Sequence, residues 1–155
     1  KDGMDASIIR YHKESETIDW CGANNSIYIV SDNDYTQYLK KDEIRVIKIE
    51  GKEGVLNELL PMRQSVGYNV FKSPFIDCSL TLKKGDLLYL LTDGYADQFG
   101  GMKGKKYMQT RLKQFLLSNW KFSVEDQHEK LKVEFINWKG NLNQIDDVCI
   151  AGFVL

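Results

Sequence analysis

The first half of the chain is a series of short apolar runs separated by polar turns. Runs that are rich in β-branched and aromatic side chains are typical of strands. The pattern predicts strands at Ala6 to Tyr11, Ile18 to Cys21, Ile27 to Val30 and Arg45 to Ile49. Gly22 to Asn25 predicts a turn after the second of them, because Gly and Asn tolerate positive φ.

Apolar and polar residues alternate with a period of two in the next segment, which predicts a half-buried strand. The apolar positions on its inner face are Ile76, Cys78, Leu80 and Leu82. The turn Lys83-Lys84-Gly85-Asp86 then leads into the apolar run Leu87 to Leu91, so the pattern predicts a hairpin with a buried second arm. The apolar run Val148 to Leu155 predicts a last buried strand.

Two helices are predicted from a period near 3.6. One apolar face comprises Met108, Leu112, Phe115 and Leu116, and the other comprises Val124, Leu131, Phe135 and Trp138. The second helix begins at Ser123, with Asp126 three residues later, and ends at Gly140. Consecutive hairpin strands followed by a helix pair favour an α+β domain with mostly antiparallel sheets.

Composition narrows this picture to one domain with no polyanionic partner. A chain of 155 residues that is 43% hydrophobic can bury one sizeable core, so we expect a single domain over residues 1–155. Its 21 basic and 22 acidic residues give a net charge of -1, which argues against nucleic acid as a partner. No apolar run approaches the roughly 18 residues that span a bilayer, so we expect no membrane insertion.

Four aspartates follow or precede the two most apolar strands. Asp93 comes directly after Leu87 to Leu91, Asp97 lies four residues further on, and Asp146 and Asp147 precede the last strand. If the two strands are antiparallel neighbours, Asp93 and Asp146 come together. Two carboxylates about 4 Å apart repel by roughly 4 kcal/mol at an effective dielectric near 20, so the pair needs a proton or a cation.

The residue types available favour a hard divalent ion at this pair. The chain has only two histidines and no cysteine pair, so an oxygen-rich site suits Mg²⁺ or Mn²⁺ better than Zn²⁺. Spacing alone leaves an alternative open, since many globular domains carry ordinary aspartates at strand ends and turns.

The stretch Leu88 to Asp97, which contains Thr92-Asp93-Gly94, and the later Asp146-Asp147-Val148 resemble the closing half of the PPM (protein phosphatase 2C) family. The SpoIIE-like bacterial branch is the most similar. Three further stretches resemble family motifs across essentially the whole chain. They are Trp20 to Asn25 ("AGANNP"), Ser65-Val66-Gly67 ("IG") and Phe99 to Lys106 ("FGGPKGKKF").

The resemblance implies part of an α-β-β-α sandwich and a bacterial signalling protein that hydrolyses phosphoserine or phosphothreonine with a metal-activated water. It implies that Asp93 and Asp146 are the catalytic residues, as ligands of Mn²⁺ or Mg²⁺. Asp97 resembles a secondary ligand of a third, weaker ion, with Gly94 and Asp147 in supporting positions.

The family domain begins with a further segment whose aspartate bridges two metals, and no part of this chain resembles it. Asp2-Gly3 is an Asp-Gly pair, but it follows no predicted strand. We therefore expect the C-terminal portion of the domain, with weak or no activity alone. The alternative is a non-catalytic, phosphatase-like module that binds a partner or transmits a signal.

The basic loop Gly100 to Lys106 does not match the nucleotide-binding pattern G-x-x-x-x-G-K-[ST], because it is one residue short and ends in Lys. Two interpretations stay open: a solvated flap, or a substrate loop in which Lys103, Lys105 and Lys106 attract a phosphorylated protein. The expected partners are that substrate, an upstream sensor or regulatory domain, and a second copy through the apolar stretch Met108 to Leu117. We expect a cytoplasmic location, alone or within a larger sensor protein.

Overall fold

The computed structural model describes residues 3–36, 46–67 and 73–155. Its strands are β1 (Gly3–Met4), β2 (Ala6–His12), β3 (Thr17–Ala23), β4 (Ile27–Ser31), β5 (Val46–Gly51), β6 (Gly54–Leu59), β7 (Val66–Gly67), β8 (Asp77–Thr81), β9 (Leu87–Leu91), β10 (Phe99–Gly100), β11 (Lys105–Lys106) and β12 (Ile150–Val154). Its helices are α1 (Gly94–Asp97), α2 (Gln109–Asn119) and α3 (Val124–Lys139). Arg45, predicted to begin a strand, and Asp2 lie outside the described residues.

Two antiparallel sheets form the centre of the fold. A five-stranded sheet has the order β12-β9-β4-β6-β5, and a three-stranded sheet has the order β2-β3-β8. Short antiparallel pairs join β1 to β7 and β10 to β11. The predicted α+β class, with mostly antiparallel sheets and a helix pair, is confirmed.

The core lies in two layers on either side of the five-stranded sheet. Alternate residues point to opposite faces of a strand, so Tyr28 of β4 and Tyr89 of β9 pack against α2 and α3. Their neighbours Ile29 and Leu88 pack against Trp20 of the three-stranded sheet. β4 is therefore buried on both faces, which explains why it is a continuous apolar run.

The predicted hairpin across Lys83 to Asp86 is wrong. β8 pairs with β3, whereas β9 pairs with β4 and β12, so the turn carries the chain from one sheet to the other. Asp86 anchors this crossing: it is buried, and its carboxylate accepts hydrogen bonds from Ser31, Tyr35 and the Lys83 N–H. A period of two predicts a strand but does not say which sheet the strand joins.

The last strand is not buried as predicted. β12 is an edge strand of the five-stranded sheet, and Phe153 and Val154 are about half exposed. The predicted turn at Gly22 to Asn25 is shorter, because β3 continues through Ala23 and the positive φ falls on Asn24.

The two long helices lie where the pattern places them. The Ser123 hydroxyl accepts a hydrogen bond from the Asp126 N–H, and Gly140 ends α3 with a positive φ. Two residues predicted on the buried faces are instead exposed: Met108 precedes α2, and Val124 lies in the first turn of α3.

The apolar face of α2 is used inside the chain. Leu112, Leu116 and Leu117 are buried in the core against the five-stranded sheet. The apolar content that suggested Met108 to Leu117 as a dimer surface is therefore packed already, and the homodimer stays a prediction. In the described part of the chain, no helix combines the length and the apolar character needed to cross a membrane.

Candidate metal centre

The ends of β9 and β12 bring two acidic segments together. The strands are antiparallel neighbours, with Leu91 opposite Ile150, which is the condition under which Asp93 and Asp146 come together. Thr92 extends the contact: its hydroxyl donates to the Asp147 carbonyl (2.8 Å) and accepts from the Cys149 N–H (2.9 Å). Thr92, directly before Asp93, thus binds the backbone of Asp147, directly after Asp146.

Gly94 allows this close approach. A Cβ at this position would lie 2.4 Å from the Asp147 carbonyl oxygen and 3.3 Å from the Asp146 Cβ. The backbone of the Asp146 loop therefore rests directly on the turn that follows Asp93. Gly94 and Asp147 are thus in backbone contact, and the supporting roles that the resemblance implies for them stay predictions.

The carboxylates near this contact differ in what neutralises them. Asp93 is exposed and, among the described residues, accepts no hydrogen bond and forms no ion pair through its side chain. Asp97 lies one helical turn later, where its N–H donates to the Asp93 carbonyl, and its carboxylate pairs with Lys106 at 2.8 Å. Asp146 and Asp147 are exposed.

A polar cleft of about 310 Å³ opens beside Asp93. Its polar lining includes Asp5, Asn24, Ser26, Glu58, Asp93 and Gln109. Larger cavities, such as one of about 610 Å³ between α3 and β12, are lined by neither Asp93 nor Asp146. We place the candidate site at the smaller cleft because the unpaired acid, rather than the volume, determines the chemistry.

Two further carboxylates of this cleft have partners of their own. Glu58 is buried and pairs with Lys113 of α2 at 2.7 Å. Asp5 accepts hydrogen bonds from the Asn24 amide (2.9 Å) and the Ser65 hydroxyl (2.7 Å). Sequence reasoning missed both acids. A signal for Asp5 lay in its position two residues after the Asp2-Gly3 pair, and its partner Asn24 belongs to the "AGANNP"-like turn.

Tyr28 closes one side of the cleft as a neutral hydrogen-bond donor. Burial, reinforced by the nearby Glu58 carboxylate, raises the pKa of the Tyr28 hydroxyl well above its ordinary value. The hydroxyl donates to Gln109 Oε1 at 2.8 Å. This contact and the Glu58–Lys113 pair join α2 to the wall of the cleft.

The basic loop projects from a fixed base. The Gly101 N–H donates to the Trp138 carbonyl at 2.8 Å, and a Cβ on Gly100 would lie 1.9 Å from that oxygen. All three predicted lysines are exposed, and Lys105 and Lys106 form β11, but Lys106 pairs with Asp97. The structure thus separates Lys106 from the other two predicted lysines.

The described residues fit part of a hard-cation site. Oxygen ligands suit Mn²⁺ or Mg²⁺, and Asp93 and Asp146 lie on segments in direct contact. However, within residues 3–36, 46–67 and 73–155, no three His, Cys, Asp or Glu side chains are grouped closely enough to hold a metal ion. The ligand roles of Asp93, Asp146 and Asp97 remain predictions.

Comparison with solved structures identifies the fold. The SiaA-PP2C domain of Pseudomonas aeruginosa matches 97% of this chain with a TM-score of 0.77 and 21% sequence identity. The phosphatase domain of the cell fate determinant SpoIIE from Bacillus subtilis, presoaked with Mn, matches 97% with a TM-score of 0.59 and 12% identity.

The chain spans about half the length of these structures, 51% and 56% respectively. No family model matches the sequence, and no curated protein matches it. At these identities the similarity concerns the fold, and it confirms the fold that the sequence motifs suggested. The chain has the fold of PP2C-type phosphatase domains.

Proposed function

We propose that this chain is part of a metal-dependent protein serine/threonine phosphatase domain of a bacterial signalling protein. The observation that carries the proposal is the contact between the Thr92-Asp93-Gly94 turn and the Asp146-Asp147 loop within a PP2C-type fold. Asp93 and Asp146 share one Mn²⁺ or Mg²⁺ ion, and Asp97 is a secondary ligand.

The carboxylate of Asp93, which has no ion-pair partner among the described residues, supports this assignment. An acid beside a second acid needs compensation by a cation, and Lys113 and Lys106 compensate Glu58 and Asp97 instead. When bound, a divalent ion lowers the pKa of a coordinated water and withdraws charge from phosphoryl oxygens. The chain's own contribution is to place Asp93 at an open polar cleft and to hold the Asp146 loop against the turn that follows Asp93.

The fold and the basic loop, which contacts Asp97 through Lys106, support the proposed substrate class. Phosphoserine and phosphothreonine in a protein are dianionic near neutral pH, so Lys103 and Lys105, exposed on the basic loop, are suited to attract them. We further propose that an upstream sensor or regulatory domain controls this activity.

The proposal is tested by hydrolysis of a generic aryl phosphate with and without Mn²⁺. We expect weak, Mn²⁺-dependent turnover, because the described residues group fewer than three ligands. Asp93→Asn abolishes it, whereas the control Asp77→Asn, an exposed acid on β8, retains it. Turnover that survives Asp93→Asn at the wild-type rate would refute the assignment of Asp93.

A second candidate function is a non-catalytic, phosphatase-like module that binds a partner or transmits a signal. The lack of a three-ligand group among the described residues favours it. Mn²⁺ binding without any turnover of the aryl phosphate would distinguish this function from the enzyme.

A further inference from the structure

The loop that carries Asp146 has little regular structure of its own. It runs between α3 and β12, and most of its side chains are exposed. Local hydrogen bonds shape it: the Leu142 N–H donates to the Lys139 carbonyl, and Gln144 Nε2 donates to the Asp146 carbonyl. Contacts of this kind do not fix where the loop lies relative to Asp93.

Gln98 supplies a longer-range contact to this loop. It directly follows α1 and is completely buried. Its side-chain Nε2 donates to the Asn143 carbonyl and to the Phe99 carbonyl, both at 2.9 Å. Its backbone carbonyl accepts from the Tyr107 N–H (2.9 Å) and from Trp138 Nε1 (3.0 Å). Gln98 is therefore held firmly while it holds the loop.

Thr92 and Gln98 together bracket Asp146. Thr92 binds the loop at Asp147, one residue after Asp146, and Gln98 binds it at Asn143, three residues before. Both anchors belong to the short stretch 92–98, which also carries Asp93. The same stretch thus provides one acid and fixes the backbone on both sides of the other.

Packing alone does not account for a glutamine at position 98. Its Oε1 is buried and has no hydrogen-bond partner in the described part of the chain. A buried acceptor without a partner destabilises a fold, and Met would fill a similar volume without one. Gln98 has an amide that donates hydrogen bonds to two backbone carbonyls, and Met has no such donor.

We propose that Gln98 is a positioning residue, whose side-chain amide holds the Asp146 loop at the separation from Asp93 that a shared divalent ion requires. The metal part of this inference rests on the proposed function. The clamp on the loop is a property of the chain itself and can be measured without metal.

Gln127 provides a matched control. It is also buried, and its Nε2 also donates to two backbone carbonyls, those of Trp120 (3.1 Å) and Phe122 (2.9 Å). It lies in the first turns of α3, and its hydrogen bonds are with the α2–α3 connection and with Tyr89, whose hydroxyl donates to its Oε1. Gln127→Met therefore removes the same two donated hydrogen bonds elsewhere, together with the one accepted from Tyr89.

The first test is amide hydrogen exchange of the metal-free wild type, Gln98→Met and Gln127→Met under native conditions. We expect Gln98→Met to accelerate exchange of the Asp147 and Cys149 N–H groups, which donate to Asp146 Oδ1 and Thr92 Oγ1, by about tenfold or more, and Gln127→Met to leave both at the wild-type rate. Equal rates at these two N–H groups in wild type and Gln98→Met would overturn the proposal. Equal acceleration by both variants would overturn it too, because the loop would then follow global stability.

A measurement on the wild type keeps the proposal testable if Gln98→Met does not fold. The two Nε2 protons of Gln98 should give separate NMR signals that exchange slowly with water, since both are bound to carbonyls. Fast exchange of these protons would contradict the clamp.

Mn²⁺ titration then tests the link to the metal. Groups that orient metal ligands typically change affinity by about 10- to 100-fold, so we expect Gln98→Met to weaken binding by about tenfold and Gln127→Met to leave it unchanged. Faster loop exchange with unchanged Mn²⁺ affinity would overturn the positioning role. A wild type that binds no Mn²⁺ would refute the proposed function, and the exchange data would still decide whether Gln98 clamps the loop.

Discussion

Individual carboxylates around the cleft differ chiefly in their cationic partners. Glu58 is buried with Lys113 beside it, and Asp97 is half exposed with Lys106 beside it. Asp93 has neither kind of partner within the described residues. A divalent ion at Asp93 therefore displaces no existing ion pair, whereas one at Asp97 must compete with Lys106.

This competition predicts that Lys106→Met strengthens Mn²⁺ binding. An ion pair exposed to this degree contributes at most about 1 kcal/mol, which corresponds to roughly fivefold in affinity. Lys105→Met, which removes the neighbouring exposed lysine, is the control for net charge. Calorimetric titration of both variants would show whether the gain is specific to Lys106, and equal affinities would argue against Asp97 as a ligand.

Sequence spacing predicted Asp93 and Asp146 because both lie next to strongly apolar strands, where the chain leaves the core. It gave no signal for their surroundings. Lys113, Thr92 and Gln98 act through partners dozens of residues away, and such pairings depend on packing that a single sequence does not display.

Secondary-structure elements were predictable where the chemistry is local. Ser123, Asp126 and Gly140 mark the ends of α3 by hydrogen bonds within a few residues, and both long helices were found. The predicted hairpin from β8 to β9 was wrong, because the sheet that a strand joins depends on distant partners. The buried Asp86 accepts hydrogen bonds from Ser31 and Tyr35 and so fixes the turn that carries the chain from one sheet to the other.

The contact between the β9–α1 turn and the Asp146 loop requires a residue without a side chain at position 94, which is Gly94. We expect Gly94→Ala to lower Tm and to weaken Mn²⁺ binding, because its Cβ would lie 2.4 Å from the Asp147 carbonyl oxygen. Gly152→Ala on β12 is the matched control, since its Cβ would lie 3.4 Å from the Tyr89 ring, an ordinary contact. Wild-type affinity in Gly94→Ala would mean that the loop does not need this approach.

At the scale of the whole molecule, burial of β4 on both faces defines the layers. The helices cover one face of the five-stranded sheet, and the three-stranded sheet covers the other. The resemblance of the motifs predicted this sandwich, whereas the periodicity of apolar residues predicted only an α+β domain with mostly antiparallel sheets. The position of β12 at an edge was missed because an apolar strand can be buried or can flank a sheet.

The outer face of the three-stranded sheet predicts how stability depends on pH. Asp19 accepts hydrogen bonds from His12, Ser79 and Arg10, which hold the pKa of its carboxyl well below the ordinary 3.8. The unfolded chain protonates near the ordinary value. The stabilisation is therefore fully present above about pH 4 and is lost as pH falls from there towards the lowered pKa.

We accordingly expect Asp19→Asn to lower Tm near pH 6, and the difference from wild type to shrink steadily below pH 4. Thermal unfolding followed by circular dichroism across this range measures it. Asp77→Asn, on the same sheet, is the control for removing one negative charge. A difference for Asp19→Asn that grows towards acid pH would contradict this interpretation.

The central claim is that Asp93 and Asp146 hold one divalent ion between them. Calorimetric titration of Mn²⁺ into wild type, Asp93→Asn, Asp146→Asn and Asp77→Asn tests it most directly. We predict binding by wild type and Asp77→Asn, and a loss of more than about 100-fold in affinity in each of the other two variants. Equal affinity in all four proteins, or no binding by the wild type, would contradict the claim.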